Sequence, residues 1–64
     1  MYKVGDRVVV SATYTGTGET PHGVVTKVEN QYTSDHQGLW IDYAQPTSMG
    51  FLGTFCYDCH VNKE

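Results

Sequence analysis

The chain has 64 residues, a formal net charge of −3 and 39% hydrophobic residues, with five Tyr, two Phe and one Trp. A chain this short makes one domain (residues 1–64), buries only about 60% of its unfolded surface and holds one thin core. That leaves no walls for a catalytic cleft of roughly 300–1,000 Å³ and argues against an enzyme. Lys3, Arg7, Lys27 and Lys63 are scattered, which argues against the basic stripe of a sequence-independent nucleic-acid grip. An acidic domain suits a basic protein surface instead.

In chain order, Gly5-Asp6 is a turn dipeptide feeding a strand from Val8 to Ala12, with Val8, Val10 and Ala12 on the core face. Residues 13–21 form a polar loop with two glycines, in which Tyr14 has no periodic apolar neighbours. The second strand spans His22–Glu29. Val25 and Val28 are out of phase, so a bulge near Thr26-Lys27 is expected to turn both inward, the alternative being Val24 and Val28 inside. After a second polar loop, Leu39, Ile41 and Tyr43 alternate with Trp40 and Asp42, which places these two sets on opposite faces of a third strand.

Phe51–Tyr57 is strand-like, with Gly53 as a bend or a point of close backbone approach. Asp58–Val61 predicts a turn or one turn of 3₁₀ helix, and Asn62-Lys63-Glu64 is expected to fray. No run of about 18 apolar residues occurs, so no membrane span is expected. The N-terminus has no apolar signal core, which points to the cytoplasm and to reduced cysteines.

Short strands and polar turns at this spacing indicate an all-β fold, a small, partly open barrel or a compact meander. The opening Val4-Gly5-Asp6-Arg7-Val8-Val9-Val10 and the second strand Gly23-Val24-Val25-Thr26-Lys27-Val28 resemble SH3-like barrels. Within that group the chain is most similar to KOW/Tudor-type modules and to small SH3-like proteins of bacteriophages. The resemblance implies a five-stranded barrel, here with the short 3₁₀ turn near the C-terminus that Asp58–Val61 suggests, and binding of peptide, protein or nucleic acid. It extends to a phage accessory protein that modulates or inhibits a host protein in the host cytoplasm. The chain departs from two branches of the group. Its first loop carries Tyr14 and only Glu19, unlike the tyrosine-paired, acidic loop of SH3 domains that bind Pro-rich peptides. Nucleic-acid-binding KOW modules tend to be basic, and this chain is acidic.

Cys56-Tyr57-Asp58-Cys59-His60 is the sharpest local string. It matches the C-x-x-C-H of haem attachment, which needs an export route and haem-covering walls that are not evident here. Zinc is the second chemistry. Cys56, Cys59 and His60 would ligate, with His36, His22 or Asp35 completing a tetrahedron, and a structural metal would suit a domain this small. The simpler expectation is that Cys56 is a small semi-buried residue, that Cys59 packs under the terminal turn, and that His60 lies on the surface. A redox pair would want a helix N-terminus at the cysteines.

For recognition, Trp40 is the leading candidate, with Tyr14, Tyr32, Phe51 and Tyr57 joining it in one patch. A cage for a methylated cation is the narrow form of that idea. The competing expectation is that Trp40 caps an open end of the barrel. A protein partner is expected, and unpaired edge strands leave self-association open.

Overall fold

The computed structural model of the protein describes residues 1–64. The chain forms one five-stranded antiparallel sheet, with β1 Arg7–Val10, β2 His22–Glu29, β3 Gly38–Tyr43, β4 Gly53–Tyr57 and β5 Val61–Lys63. The strand order is β4-β3-β2-β1-β5, so β4 and β5 are the two edges. They are joined by a single 3₁₀ turn, Asp58–His60. No helix of the chain is long and apolar enough to cross a membrane.

The Gly5-Asp6 turn is built as its residue types suggest. Gly5 takes φ 96°, and the Asp6 carboxylate accepts the Lys3 N–H at 3.0 Å. The same turn is sewn to β2, because Gly5 donates to the Val25 carbonyl at 2.8 Å and Val25 donates to Asp6 at 2.9 Å.

Strand β1 is shorter than expected, and Ala12 is not part of it. Ser11 caps a four-residue helical turn, α1 Ala12–Thr15, by accepting the Thr13 N–H at 3.2 Å, and Gly16 ends it at φ 72°. The Ser at the cap and the Gly one turn later outcompete extension of the strand. Tyr14 therefore lies on a short capped helical turn within the first polar loop.

In β2, the register against β3 shifts between Val25 and Lys27, which is the expected bulge. Val25 is fully buried and Val28 packs against the core from a half-buried position. Gly23 is required by close approach, since a Cβ there would lie 2.6 Å from the Asp42 carbonyl oxygen. Gly53 has the same role on β4, where a Cβ would lie 2.5 Å from the Ile41 carbonyl oxygen.

Strand β4 begins at Gly53, so Phe51 and Leu52 lie outside it and are exposed. A tight turn through Gly50 at φ 86°, closed by Gly50 donating to Thr47 at 2.8 Å, uses up the residues before it. The last residues do not fray. Val61 is only 5% exposed and anchors β5, which pairs along the free edge of β1 in the register Val8↔Lys63, Val9↔Asn62 and Val10↔Val61. Glu64 extends the ladder by donating to the Arg7 carbonyl at 3.0 Å.

Period-two alternation puts Val8, Val10, Val25, Leu39, Ile41, Cys56 and Val61 on one face, where they form a single core cluster. Tyr2, Val28 and Tyr43 pack against its margin. The opposite face of β3 and β4 is left to other residues.

Candidate functional site

Register determines what that outer face carries. Trp40 pairs directly with Phe55 across β3 and β4, while the flanking pairs Leu39↔Cys56 and Ile41↔Thr54 alternate with it. Because Cys56 points into the core, Phe55 and Tyr57 must point out, on the same face as Trp40. The Trp40 and Phe55 rings are 4.5 Å apart between centroids. Lys27 of β2, paired with Trp40, places its ammonium 4.7 Å from the indole centroid.

Phe55 is the hub of a continuous aromatic strip. Tyr32, from the β2–β3 loop, meets Phe55 edge-on at 5.1 Å and Tyr57 at 5.7 Å. Tyr57 stacks on His36 at 5.8 Å and lies 6.3 Å from His60. His60 in turn lies 4.9 Å from Tyr14 of α1. The strip thus runs from Trp40 across β4 to the 3₁₀ turn and the helical turn. A hollow of about 180 Å³ opens in it, lined by Tyr14, Phe55, Cys56, Tyr57 and His60.

Three local devices hold these rings in place. Gly38, opposite Tyr57, has no side chain, and a Cβ there would come within 2.9 Å of the Phe55 ring and 3.1 Å of Tyr32. The Tyr14 hydroxyl donates to the Phe55 carbonyl at 2.6 Å and lies 3.3 Å from the Thr54 hydroxyl. Gln37, only 3% exposed, clamps the end of the strip. Its side chain accepts from the Tyr2 N–H at 2.9 Å and donates to the Tyr2 carbonyl at 2.9 Å and to Asn30 at 3.0 Å. Its backbone exchanges bonds with Asp58, donating to the carboxylate at 3.1 Å and accepting from the Asp58 N–H at 3.1 Å.

A second constellation lies beside this clamp. His36 Nδ1 is 2.9 Å from Asp58 Oδ1. Together with Cys59, these two side chains offer ligand atoms that all lie within 4.8 Å of one another. Burial alone would raise the Asp58 carboxyl, but hydrogen bonds from the Gln37 N–H, from His36 and from the Cys59 N–H outweigh it and hold the pKa below the usual value. Cys56 is in a different environment. Burial, and secondarily Cys59, pushes its thiol up to about 11, so it stays protonated at neutral pH.

The expected residues therefore divide. Trp40, Tyr14, Tyr32 and Tyr57 are brought together in the strip, with Trp40 half-buried against Phe55. Phe51 is separate and lines a groove of about 440 Å³ with Tyr43, Met49 and the far side of Tyr14. The expected ligand set Cys56, Cys59 and His60 is not what the structure gathers. Cys56 belongs to the core, and Cys59 converges with His36 and Asp58. Cys59 is exposed rather than packed under the turn.

Phe55 and Asp58 are not among the candidates the sequence suggests, and His36 enters only as one of three alternatives for a fourth zinc ligand. Placing Cys56 in the core would have found Phe55, since adjacent strand residues face opposite ways. Nothing local marks Gln37, and Asp58, the partner that His36 and Gln37 share, lies more than twenty residues away in the chain. No family model, no curated protein and no solved structure matches the chain.

Proposed function

We propose that the protein is a non-enzymatic, SH3-like barrel that binds a protein partner through the aromatic strip centred on Phe55. The barrel reading is supported by the strand order, by the bulge in β2 and by the 3₁₀ turn between the two edge strands. It is supported further by the core itself. Seven side chains at 5% exposure or less sit on one face of a single sheet, and neither the four-residue helical turn nor the 3₁₀ turn contributes a buried residue, which fits a sheet curled over its own core.

The observation that carries the binding reading is the placement of the rings. Trp40, Phe55, Tyr57 and Tyr32 face away from a core that is complete without them. Rigid aromatic side chains already held in position bury much area on binding at little entropic cost, which is why such residues dominate interface energetics. A role as a phage accessory protein acting on a host factor belongs to the same proposal, and rests on the resemblance of the β1 and β2 motifs together with the acidic charge.

The test uses the immobilised protein and bacterial lysate, with wild type, Trp40→Ala and Phe55→Ala compared at equal folded fraction. Capture of a defined protein by wild type, lost in both variants, is the expected result. A captured protein that both variants retain would place binding elsewhere. Base stacking on the same rings is the alternative, favoured by Lys27 beside Trp40. Trp40 is the single tryptophan, so its fluorescence decides this directly. Salt-sensitive quenching by a short mixed single strand would support nucleic acid, and no change at low salt would remove it.

A further inference from the structure

We propose that His36, Asp58 and Cys59 form a binding site for a borderline-soft divalent cation, Zn²⁺ above all, that ties the β2–β3 loop to the 3₁₀ turn. The donor set is one imidazole nitrogen, one carboxylate oxygen and one thiolate sulfur. Zinc accepts this mixture, whereas Mg²⁺ and Ca²⁺ prefer oxygen alone. The ligand atoms lie within 4.8 Å of one another. Around tetrahedral zinc, with bonds of about 2.0–2.3 Å, such atoms sit roughly 3.3–3.7 Å apart. Closing the difference takes about an ångström, within reach of rotation of the exposed Cys59 side chain.

The other two ligands are already held. The His36 ring stacks on Tyr57 with 9° between planes, and its backbone N–H donates to the Thr33 hydroxyl at 3.2 Å. Asp58 is fixed through its second carboxylate oxygen by the Gln37 N–H at 3.1 Å. The ordering cost of two of the three ligands is therefore met by the fold. A fourth position stays open for water or for a donor from a partner.

The chemistry balances as a metal–proton exchange. The cation enters, the Cys59 thiol loses its proton to solvent as the Cys59–metal bond forms, and the proton shared by His36 Nδ1 and Asp58 leaves their hydrogen bond, moving to Nε2 of a neutral ring or to solvent from a charged one, as the nitrogen and the carboxylate oxygen bind the metal. No oxidant or reductant is involved. Metal binding releases protons, so affinity falls as pH is lowered.

Cobalt(II) is the probe, added to the reduced 64-residue chain. The expected result is a thiolate-to-cobalt charge-transfer band with tetrahedral visible bands, saturating at one equivalent and displaced by Zn²⁺. Cys59→Ser, a change at an exposed position, abolishes the charge-transfer band. His36→Gln weakens Zn²⁺ binding by at least roughly tenfold. Cys56→Ala leaves the spectrum unchanged, and if that variant does not fold the two surface variants decide alone. Absence of the band at millimolar cobalt overturns the site, as does a band that survives Cys59→Ser. Nitrogen-detected NMR of the imidazoles provides an independent reading. Zn²⁺ should move the His36 signals, and movement confined to His60 or His22 overturns the assignment.

Discussion

The two faces of the β3–β4 pair have the same backbone and the same register, and differ only by which residue of each neighbouring pair is counted. On the inner face lie Leu39, Ile41 and Cys56, aliphatic or thiol and at most 3% exposed. On the outer face lie Trp40, Phe55 and Tyr57, all aromatic and all half-buried. The inner set is closed, since every neighbour it needs comes from β1, β2 and β5. The outer set packs on itself and on loop residues, with one side left to solvent. Inner side chains are therefore chosen by what they contribute to folding. The outer rings contribute less to folding than their size suggests, and their remaining exposed area is free for another molecule.

The sharpest contrast concerns the two thiols. Cys56 is buried with its pKa pushed up, and Cys59 is exposed. At mildly alkaline pH, alkylation followed by mass spectrometry should label Cys59 at least roughly a hundredfold faster than Cys56, because the thiolate is the nucleophile and Cys56 is both protonated and shielded. Comparable rates would mean that the inner face opens readily. The next effect is energetic. Leu39→Ala removes a fully buried side chain and should cost about 2–5 kcal/mol in urea unfolding followed by circular dichroism. A domain of this size has roughly 3–10 kcal/mol in total, so much of the population unfolds.

Two glycines separate the faces more finely. Gly23→Ala would bring a Cβ to 2.6 Å from the Asp42 carbonyl oxygen, a backbone atom that cannot step aside. A cost of about 1–3 kcal/mol is expected. Gly38→Ala meets ring atoms of Phe55 and Tyr32 instead, which can swing outward. Its cost should be smaller, and its signature should be a change in Trp40 emission as the Phe55 ring leaves it. Equal costs with unchanged emission would erase the distinction between a load-carrying inner face and an adjustable outer one.

How far the sequence revealed this depends on the range of the interactions. The Gly5-Asp6 turn, the β2 bulge, the alternation in β3 and the 3₁₀ turn all follow from neighbours a few residues apart, and each stands in the structure. The end of β1 differs because Ser11 and Ala12 continue the alternation of the strand on paper, whereas Ser11 acts as a helix cap and Gly16, within the polar loop, as its stop. Strand β5 was missed because three residues at a terminus carry almost no pattern, and only the free edge of β1 makes them a strand. The strip was half legible. Trp40 stood out by alternation, whereas Phe55 as its partner depends on the β3–β4 register, and the placing of Cys59 with His36 depends on a loop folding back onto the 3₁₀ turn.

The claim that the outer rings serve binding more than folding is tested most directly by one variant measured two ways. Phe55→Ala should lower the urea midpoint by clearly less than Leu39→Ala does, while abolishing capture of the protein that wild type retains from bacterial lysate. A variant destabilised as severely as Leu39→Ala, or one that still captures the same protein, would contradict the account.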